Sequence, residues 1–249
     1  MEVKLTDCYT LSEGKALMSG TEALVRLLLE QSRIDRMNGL RTKGLVSGYP
    51  GSPLGGLDIA LGKAKSFLDE EGIYFQPAVN EELAATALWG SQHINLYDNP
   101  SVQGVFSMWY GKGPGLDRAM DALRHANQGG VAPHGGMVIA VGDDPTGKSS
   151  TLAYQSDQNF HSLGIPYFFP KNVSEIIPMG LEAFALSRYS GCCVGLKIVV
   201  DTADSNAVVD MSRLRPNFPK MMPNKLVHVT KHDPAGARES KLHEIRLPE

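Results

Sequence analysis

Residues 44–57, GLVSGYPGSPLGGL, join a short apolar run to a turn that contains two prolines. The apolar run at 44–47 is typical of a buried strand, which the prolines at 50 and 53 would end. Leucine or alanine then recurs at 54, 57, 61, 64 and 68, which is the spacing of one helix face. This stretch therefore predicts a strand, a tight turn and a helix in direct succession.

The same alternation extends outward in both directions. A capping-box pattern at Ser19 and Glu22 begins a helix that Asn38-Gly39 ends. Strands are predicted at 44–47, 73–75, 102–108, 137–141, 165–169 and 194–200, and further helices at 54–68, 81–96, from the glycine run to about 127, and at 173–189. Six strands that alternate with helices predict an α/β fold with a mostly parallel, doubly wound sheet.

In such a sheet, ligands bind beyond the carboxyl ends of the strands. The turns at 49–56, 77–82, 109–115 and 142–150 are therefore the places where a site is expected.

Length and composition limit the class of protein. The chain has 249 residues and a formal net charge of −3, which gives no reason to expect nucleic acid as a partner. Three cysteines do not make a disulfide framework, and no apolar run approaches about 18 residues, so a cytoplasmic protein with no membrane span is expected. Residues 1–201 are predicted to form one domain, and the proline-interrupted residues 202–249 a linker or arm toward a following domain.

Residues 142–149, GDDPTGKS, match the G-x-x-x-x-G-K-[ST] pattern of a nucleotide-binding P-loop. Pro145 lacks one of the backbone N–H groups that would cradle phosphate, and Asp143 and Asp144 would bring negative charge to a polyanion. A P-loop NTPase that uses Gly142–Ser149 is kept as an alternative function.

Two other features leave both a structural and a functional interpretation open. The glycine run at 109–115 lacks the G-x-G-x-x-G spacing, and is either a flexible turn or a loop where backbone approaches a ligand. Glu81 and Glu82 stand at a strand-to-helix junction, where an acidic residue ordinarily favours the helix dipole. The cysteines and histidines show no metal-ligand spacing, so no metal site is predicted.

Several stretches, taken in their order along the chain, resemble the N-terminal part of the indolepyruvate ferredoxin oxidoreductase family. The members of this family are thiamine diphosphate-dependent 2-oxoacid:ferredoxin oxidoreductases. The resemblance spans roughly residues 5–205. It is carried by residues 20–26 (GTEALVR), 46–58 (VSGYPGSPLGGLD), 79–87 (VNEELAATA), 108–115 (MWYGKGPG), 134–136 (HGG), 142–144 (GDD), 148–151 (KSST) and 187–192 (SRYSGC).

The resemblance implies a thiamine diphosphate pyrimidine-binding domain. It implies that Glu81 is the catalytic carboxyl, which bonds N1′ of the aminopyrimidine ring, and that Ser52, Tyr49 and Lys112 contact the substrate. The cofactor contacts that it implies are Pro50, Gly51, Asn80, Gly111 and Gly113.

The resemblance also implies what lies outside this chain. The diphosphate-binding pattern Gly-Asp-Gly followed by Asn is absent, because residues 142–144 read Gly-Asp-Asp. Mg²⁺ and [4Fe-4S] clusters are therefore expected on diphosphate-binding and ferredoxin-type domains elsewhere. The implied reaction is oxidative decarboxylation of an aryl or branched 2-oxo acid to an acyl-CoA, with electrons passed to ferredoxin, in a homodimer. A non-catalytic remnant that only binds partners is the remaining alternative.

Overall fold

A computed structural model describes residues 4–214 and His228. Eight strands and nine helices occur in this part of the chain, together with two short 3₁₀ turns. In chain order they are α1 (Asp7–Thr10), β1 (Lys15–Ser19), α2 (Gly20–Met37), β2 (Thr42–Gly48), α3 (Leu57–Lys63), α4 (Lys65–Glu70), β3 (Ile73–Phe75), α5 (Glu81–Ser91), β4 (Gly104–Lys112), α6 (Gly113–Gly129), β5 (Met137–Asp143), α7 (Asp157–Leu163), β6 (Tyr167–Phe168), α8 (Val173–Ser190), β7 (Val194–Val199), α9 (Val200–Asp204) and β8 (Asn206–Asp210).

Six of the strands form one parallel sheet in the order β3-β2-β4-β5-β7-β6. All six were predicted from the sequence, and the mostly parallel α/β class is confirmed. Helices cover both faces of the sheet. Neighbouring residues of a strand point to opposite sides, and the strands carry apolar residues on both sides that must be buried. In β5, Val138 and Ala140 join the core under α2 and α8, whereas Ile139 and Val141 join the core under α5 and α6.

Several boundaries differ from the sequence prediction. Strand β4 continues through Trp109, Tyr110 and Gly111 to Lys112, and α6 begins directly at Gly113. The interpretation of residues 109–115 as a flexible turn is therefore wrong. The strand continues because Trp109 and Tyr110 are fully buried on opposite faces of the sheet.

The predicted helices at 54–68 and 81–96 are shorter than expected. The first is divided into α3 and α4 at Ala64, and the second ends at Ser91 before a separate 3₁₀ turn at Ile94–Leu96. Of the strand predicted at 165–169, only Tyr167 and Phe168 form a strand, which is β6 at the sheet edge.

A second, antiparallel sheet of two strands was not predicted. Strand β1 pairs with β8, with Ala16 opposite Val209 and Leu17 opposite Val208. Ala16 and Val209 are buried, so the packed body continues past Asp201. Most of the predicted arm at 202–249 lies outside the described residues, since only 202–214 and His228 are described.

An ion pair joins the two long helices on one face of the sheet. Arg188 of α8 donates two hydrogen bonds to the buried Asp35 of α2, at 2.6 and 2.7 Å. The Arg188 Nε group also donates to the carbonyl of Gly135. No helix in the described part of the chain has the length and apolar character needed to cross a membrane.

Candidate active site

The segments in which the sequence predicts a site lie at the carboxyl edge of the sheet, although residues 109–115 form the end of β4 and the start of α6. Strands β2, β4 and β5 are adjacent and parallel, so the segments that follow them lie side by side. The backbone joins these segments directly: Tyr49 N donates to the carbonyl of Tyr110 at 3.2 Å, and Ala78 N donates to that of Gly48 at 3.2 Å.

Glu81 is the first residue of α5 and is 8% exposed. The side chain of Asn80 caps the helix by accepting a hydrogen bond from Leu83 N at 2.9 Å. The indole of Trp109 donates to the Glu81 backbone carbonyl at 3.0 Å, and so fixes the first turn of α5 against β4.

The Glu81 carboxyl group lies against the start of α6. A Cβ atom at Gly115 would be 2.8 Å from Glu81 Oε1 and 2.9 Å from its Cγ, so a larger residue would displace the carboxyl group from its present position. Arg118, one turn later on α6, places its Nε 3.7 Å from Glu81 Oε2. Within residues 4–214, no hydrogen bond to the Glu81 carboxyl group is present, so its oxygens remain available to a ligand nitrogen.

Ser52 lies in an exposed turn that rests on Lys112. The Ser52-Pro53 peptide bond is cis. A Cβ atom at Gly51 would be 2.8 Å from Lys112 Cδ, so the aliphatic part of the lysine packs against the turn. The turn also contacts β5, since a Cβ atom at Gly142 would lie 2.8 Å from Pro53.

Lys112 occupies the N-cap position of α6 and is partly exposed. Its ammonium group forms no ion pair or hydrogen bond with the described part of the chain. A positive charge on the side chain that packs against the Ser52 turn suits a carboxylate ligand.

The loop with the P-loop-like sequence is closed around its own aspartate. The carboxylate of Asp144 accepts hydrogen bonds from the backbone N–H groups of Lys148 at 2.9 Å, Ser149 at 2.7 Å and Ser150 at 2.7 Å. Burial alone would raise the pKa of Asp144, but these hydrogen bonds outweigh it and lower the pKa. An internal carboxylate thus takes the donors that a nucleotide phosphate would need.

Asp143, the last residue of β5, is fully buried. It accepts hydrogen bonds from Ser156 N at 2.7 Å and Ser156 Oγ at 2.8 Å, and it lies 3.5 Å from the buried Lys197 Nζ. Burial raises the pKa of this carboxyl group, although the serine and the lysine oppose the shift. Lys197 also pairs with Asp157 at 2.5 Å.

The remaining predicted cofactor contacts fall in two environments. Gly113 begins α6 and lies directly beneath the ring of Tyr154. Gly111 lies inside β4, where a Cβ atom would be 2.5 Å from the indole of Trp109, so the structure gives this glycine a packing contact. Pro50 and Tyr49 are exposed in the Ser52 turn. Contacts thus link Glu81 through α6 and Lys112 to the turn that carries Ser52, while Gly111 lies within the strand.

Sequence reasoning missed three residues that shape the site. Gly115, Trp109 and Arg118 all contact Glu81. The glycine run in the sequence pointed to the region of Gly115. Its contact with Glu81, however, arises only when α5 and α6 pack together. Within the described residues, no group of three or more histidine, cysteine, aspartate or glutamate side chains has a geometry that would hold a metal ion.

No family model matches the chain. Curated relatives do: the indolepyruvate oxidoreductase subunit IorA of Methanothermobacter marburgensis is 27% identical over 214 residues, which cover 86% of this chain and 31% of that protein. IorA of Pyrococcus abyssi is 28% identical over 219 residues, which cover 85% of this chain and 29% of that protein. The chain therefore spans about three tenths of the length of the curated relatives it matches.

Among solved structures, the 2-oxoglutarate:ferredoxin oxidoreductase from Magnetococcus marinus, described with 2-oxoglutarate, coenzyme A and succinyl-CoA bound, has a similar fold. The TM-score is 0.55 at 17% identity, over 86% of this chain and 35% of that chain. At this identity the likeness concerns the fold. The curated relatives confirm the resemblance to the indolepyruvate oxidoreductase family that the residues indicated.

Proposed function

We propose that this chain supplies the pyrimidine-binding half-site of a thiamine diphosphate-dependent 2-oxoacid:ferredoxin oxidoreductase of the indolepyruvate type. The observation that carries the proposal is the Glu81 carboxyl group, which is buried at the start of α5 and given room by Gly115. The similarity to IorA subunits supports the reaction class.

The residues present fit an aminopyrimidine ring. Glu81 has carboxyl oxygens without a hydrogen-bond donor in the described chain, and a ring nitrogen at this place would provide a partner for them. Glu81 then holds or transfers the proton on that nitrogen. Asn80 and Trp109 keep the first turn of α5 in position, so the carboxyl group acts from a fixed place.

When bound, thiamine diphosphate supplies the carbon nucleophile and accepts the electron pair released as the 2-oxo acid loses carbon dioxide. The chain's own contribution on the substrate side is Lys112, Ser52 and Tyr49. The lysine ammonium group attracts the 2-oxo acid carboxylate, and the serine hydroxyl and Tyr49 orient it.

The rest of the proposed enzyme lies beyond this chain. Mg²⁺, the diphosphate contacts and the [4Fe-4S] clusters belong to diphosphate-binding and ferredoxin-type domains, and ferredoxin and coenzyme A are the further reactants. We propose an aryl or branched 2-oxo acid as substrate, a homodimer as the assembly and the cytoplasm as the location.

The test is Glu81→Gln in the complete enzyme, with Glu82→Gln as the matched control. Glu82 is the next residue of the same helix and is exposed. We expect Glu81→Gln to lower turnover by roughly 100-fold or more, since the amide cannot transfer the proton, and to leave the melting temperature within a few degrees. Glu82→Gln should keep near-normal activity. Full turnover of Glu81→Gln would contradict the proposal.

A P-loop NTPase is disfavoured, because Asp144 already occupies the backbone donors of that loop. Calorimetry with Mg-ATP and Mg-GTP tests this directly: we expect no heat of binding. Binding that disappears in Lys148→Ala would favour the NTPase instead.

A further inference from the structure

We propose that Asp144 is a positioning residue that acts on the substrate turn through the loop of residues 144–154, called here the Asp144 loop. The catalytic meaning of this inference rests on the proposed function, since it concerns the turn that carries Ser52. The structural coupling itself does not depend on the reaction.

Asp144 organises the loop from its first residue. Its side chain is 1% exposed, although Pro145 to Ser149 are exposed, so a buried carboxylate lies beneath a solvent-facing segment. Both of its oxygens accept backbone N–H groups across the loop, from Lys148, Ser149 and Ser150. Hydrogen bonds to an ionised acceptor are stronger than those between neutral groups.

The backbone of Asp144 closes the other end of the loop. Tyr154 N donates to the Asp144 carbonyl at 2.9 Å, and the two residues form an antiparallel bridge. The loop is therefore tied at residues 148–150 by the side chain of Asp144 and at residue 154 by its main chain.

The loop contacts the predicted site at two points. Ser150 Oγ donates to the carbonyl of Ser52 at 3.1 Å. The ring of Tyr154 covers Gly113 at the start of α6, and the Tyr154 hydroxyl donates to Asp117 of the same helix at 2.7 Å. The loop thus connects the Ser52 turn with the helix that begins next to Lys112.

The adjacent side chains of Asp143 and Asp144 bind different segments of the chain. Asp143 binds Ser156 and lies near Lys197, and so holds the segment that leads into α7. Asp144 holds the outer part of the loop, including Ser150. Its loss should therefore loosen the Ser52 turn and leave β5 and α7 in place.

The consequence for catalysis is specific. Ser52 contacts the loop, whereas Glu81 is held by α5, Trp109 and Gly115. A loosened Ser52 turn should weaken the binding of the 2-oxo acid and leave proton transfer by Glu81 intact.

The first experiment measures amide hydrogen exchange in the full chain with Asp144→Asn and Ser150→Ala. In Asp144→Asn we expect the amides of Ser149 and Ser150 to exchange at least about tenfold faster, because an amide group provides one acceptor atom and no charge. The amides of Tyr49 and Leu57, which lie on either side of Ser52 and donate to backbone carbonyls, should also accelerate.

Ser150→Ala separates the coupling from a general disturbance. It keeps the backbone hydrogen bonds to Asp144 and removes the link to Ser52, so we expect acceleration at Tyr49 and Leu57 only. Unchanged exchange at these two amides in both variants overturns the inference. The amide of Ala84 in α5 is the internal reference.

The second experiment measures steady-state kinetics of both variants in the complete enzyme. We expect the KM for the 2-oxo acid to rise about three- to tenfold and kcat to stay within about twofold. A loss of kcat with unchanged KM overturns the positioning role. If the unmodified enzyme shows no thiamine-dependent turnover, the proposed function fails, while the exchange data still decide whether Asp144 controls the Ser52 turn.

Discussion

At the scale of single residues, the candidate site depends on a glycine, Gly115, whose lack of a side chain leaves space for the Glu81 carboxyl group. The strand-to-helix junction left Glu81 open between a helix-dipole residue and a functional one, and the family resemblance implied the catalytic role. The structure adds that its carboxyl group occupies the space a side chain at position 115 would need. The sequence could show that residues 111–115 are rich in glycine, but it could not show which of these glycines faces Glu81.

Gly115→Ala tests this contact. The added Cβ would lie 2.8 Å from Glu81 Oε1 and 2.9 Å from its Cγ, so we expect the glutamate side chain to move away from its present place. If the carboxyl group acts as proposed, turnover of the complete enzyme should fall by roughly tenfold or more, because small displacements of a catalytic group are costly.

Gly90→Ala is the matched control for this substitution. Gly90 lies on α5 with nothing within 4 Å of the added atom, and alanine favours a helix over glycine by about 0.5–1 kcal/mol. Activity should be unchanged and stability equal or higher. Equal activity of the two variants would show that Gly115 does not position Glu81.

At the scale of elements, apolar runs and helical spacing were sufficient to predict the six parallel strands and the main helices. They failed where a polar or small residue continues a strand. Gly111 and Lys112 resemble turn residues in the sequence, yet they extend β4 because the neighbouring backbone of β5 pairs with them. Pairing with a neighbour is a tertiary property, so local composition does not show it.

The Asp144 loop should be sensitive to acid in a defined range. The pKa of Asp144 is lowered in the folded chain, so its ionised form stabilises the loop. For a carboxyl group with a depressed folded pKa, this stabilisation is fully present above the unfolded value of about 3.9 and is lost as the pH falls through the folded pKa.

Hydrogen exchange of Ser149 and Ser150, corrected for intrinsic rates, measures this directly. We expect constant protection from pH 7 to about 4 and loss of protection below that range. The buried amide of Ile139 in β5 reports whether the whole chain is unfolding at the same pH. A midpoint at pH 5 or above would contradict the assigned role of Asp144, as would an unaltered pH profile in Asp144→Asn.

At the scale of the whole molecule, the packed part of the chain extends further along the sequence than the pattern of apolar residues predicted. The break predicted after Asp201 was based on prolines at 216 and beyond, but β8 returns to pair with β1 near the N-terminus. Two five-residue strands that lie nearly 190 positions apart give no local signal for their pairing. In the folded chain burial alternates along β1, with Ala16 and Met18 buried and Lys15 and Leu17 exposed, but the three successive apolar residues at 16–18 hide this alternation in the sequence.

Two adjacent substitutions in β8 test whether this strand is part of the folded body. Val209 is 2% exposed and belongs to the core that contains α2 and α8, whereas Val208 is 57% exposed on the other side of the ribbon. Val209→Asp would bury an unpaired carboxylate, so we expect the free energy of unfolding to fall by roughly 3 kcal/mol or more. Val208→Asp should change it by less than about 1 kcal/mol.

Urea denaturation of the full chain, followed by tryptophan fluorescence, provides the measurement, since Trp89 lies in α5 and the fully buried Trp109 in β4. Trp109 lies in the main sheet and distant in sequence from β8, so a lower midpoint for Val209→Asp would show that β8 stabilises the whole fold cooperatively. If residues after 201 formed an independent arm, both variants would unfold at the midpoint of the unmodified chain. Equal shifts for the two variants would instead indicate a general effect of added charge on this strand.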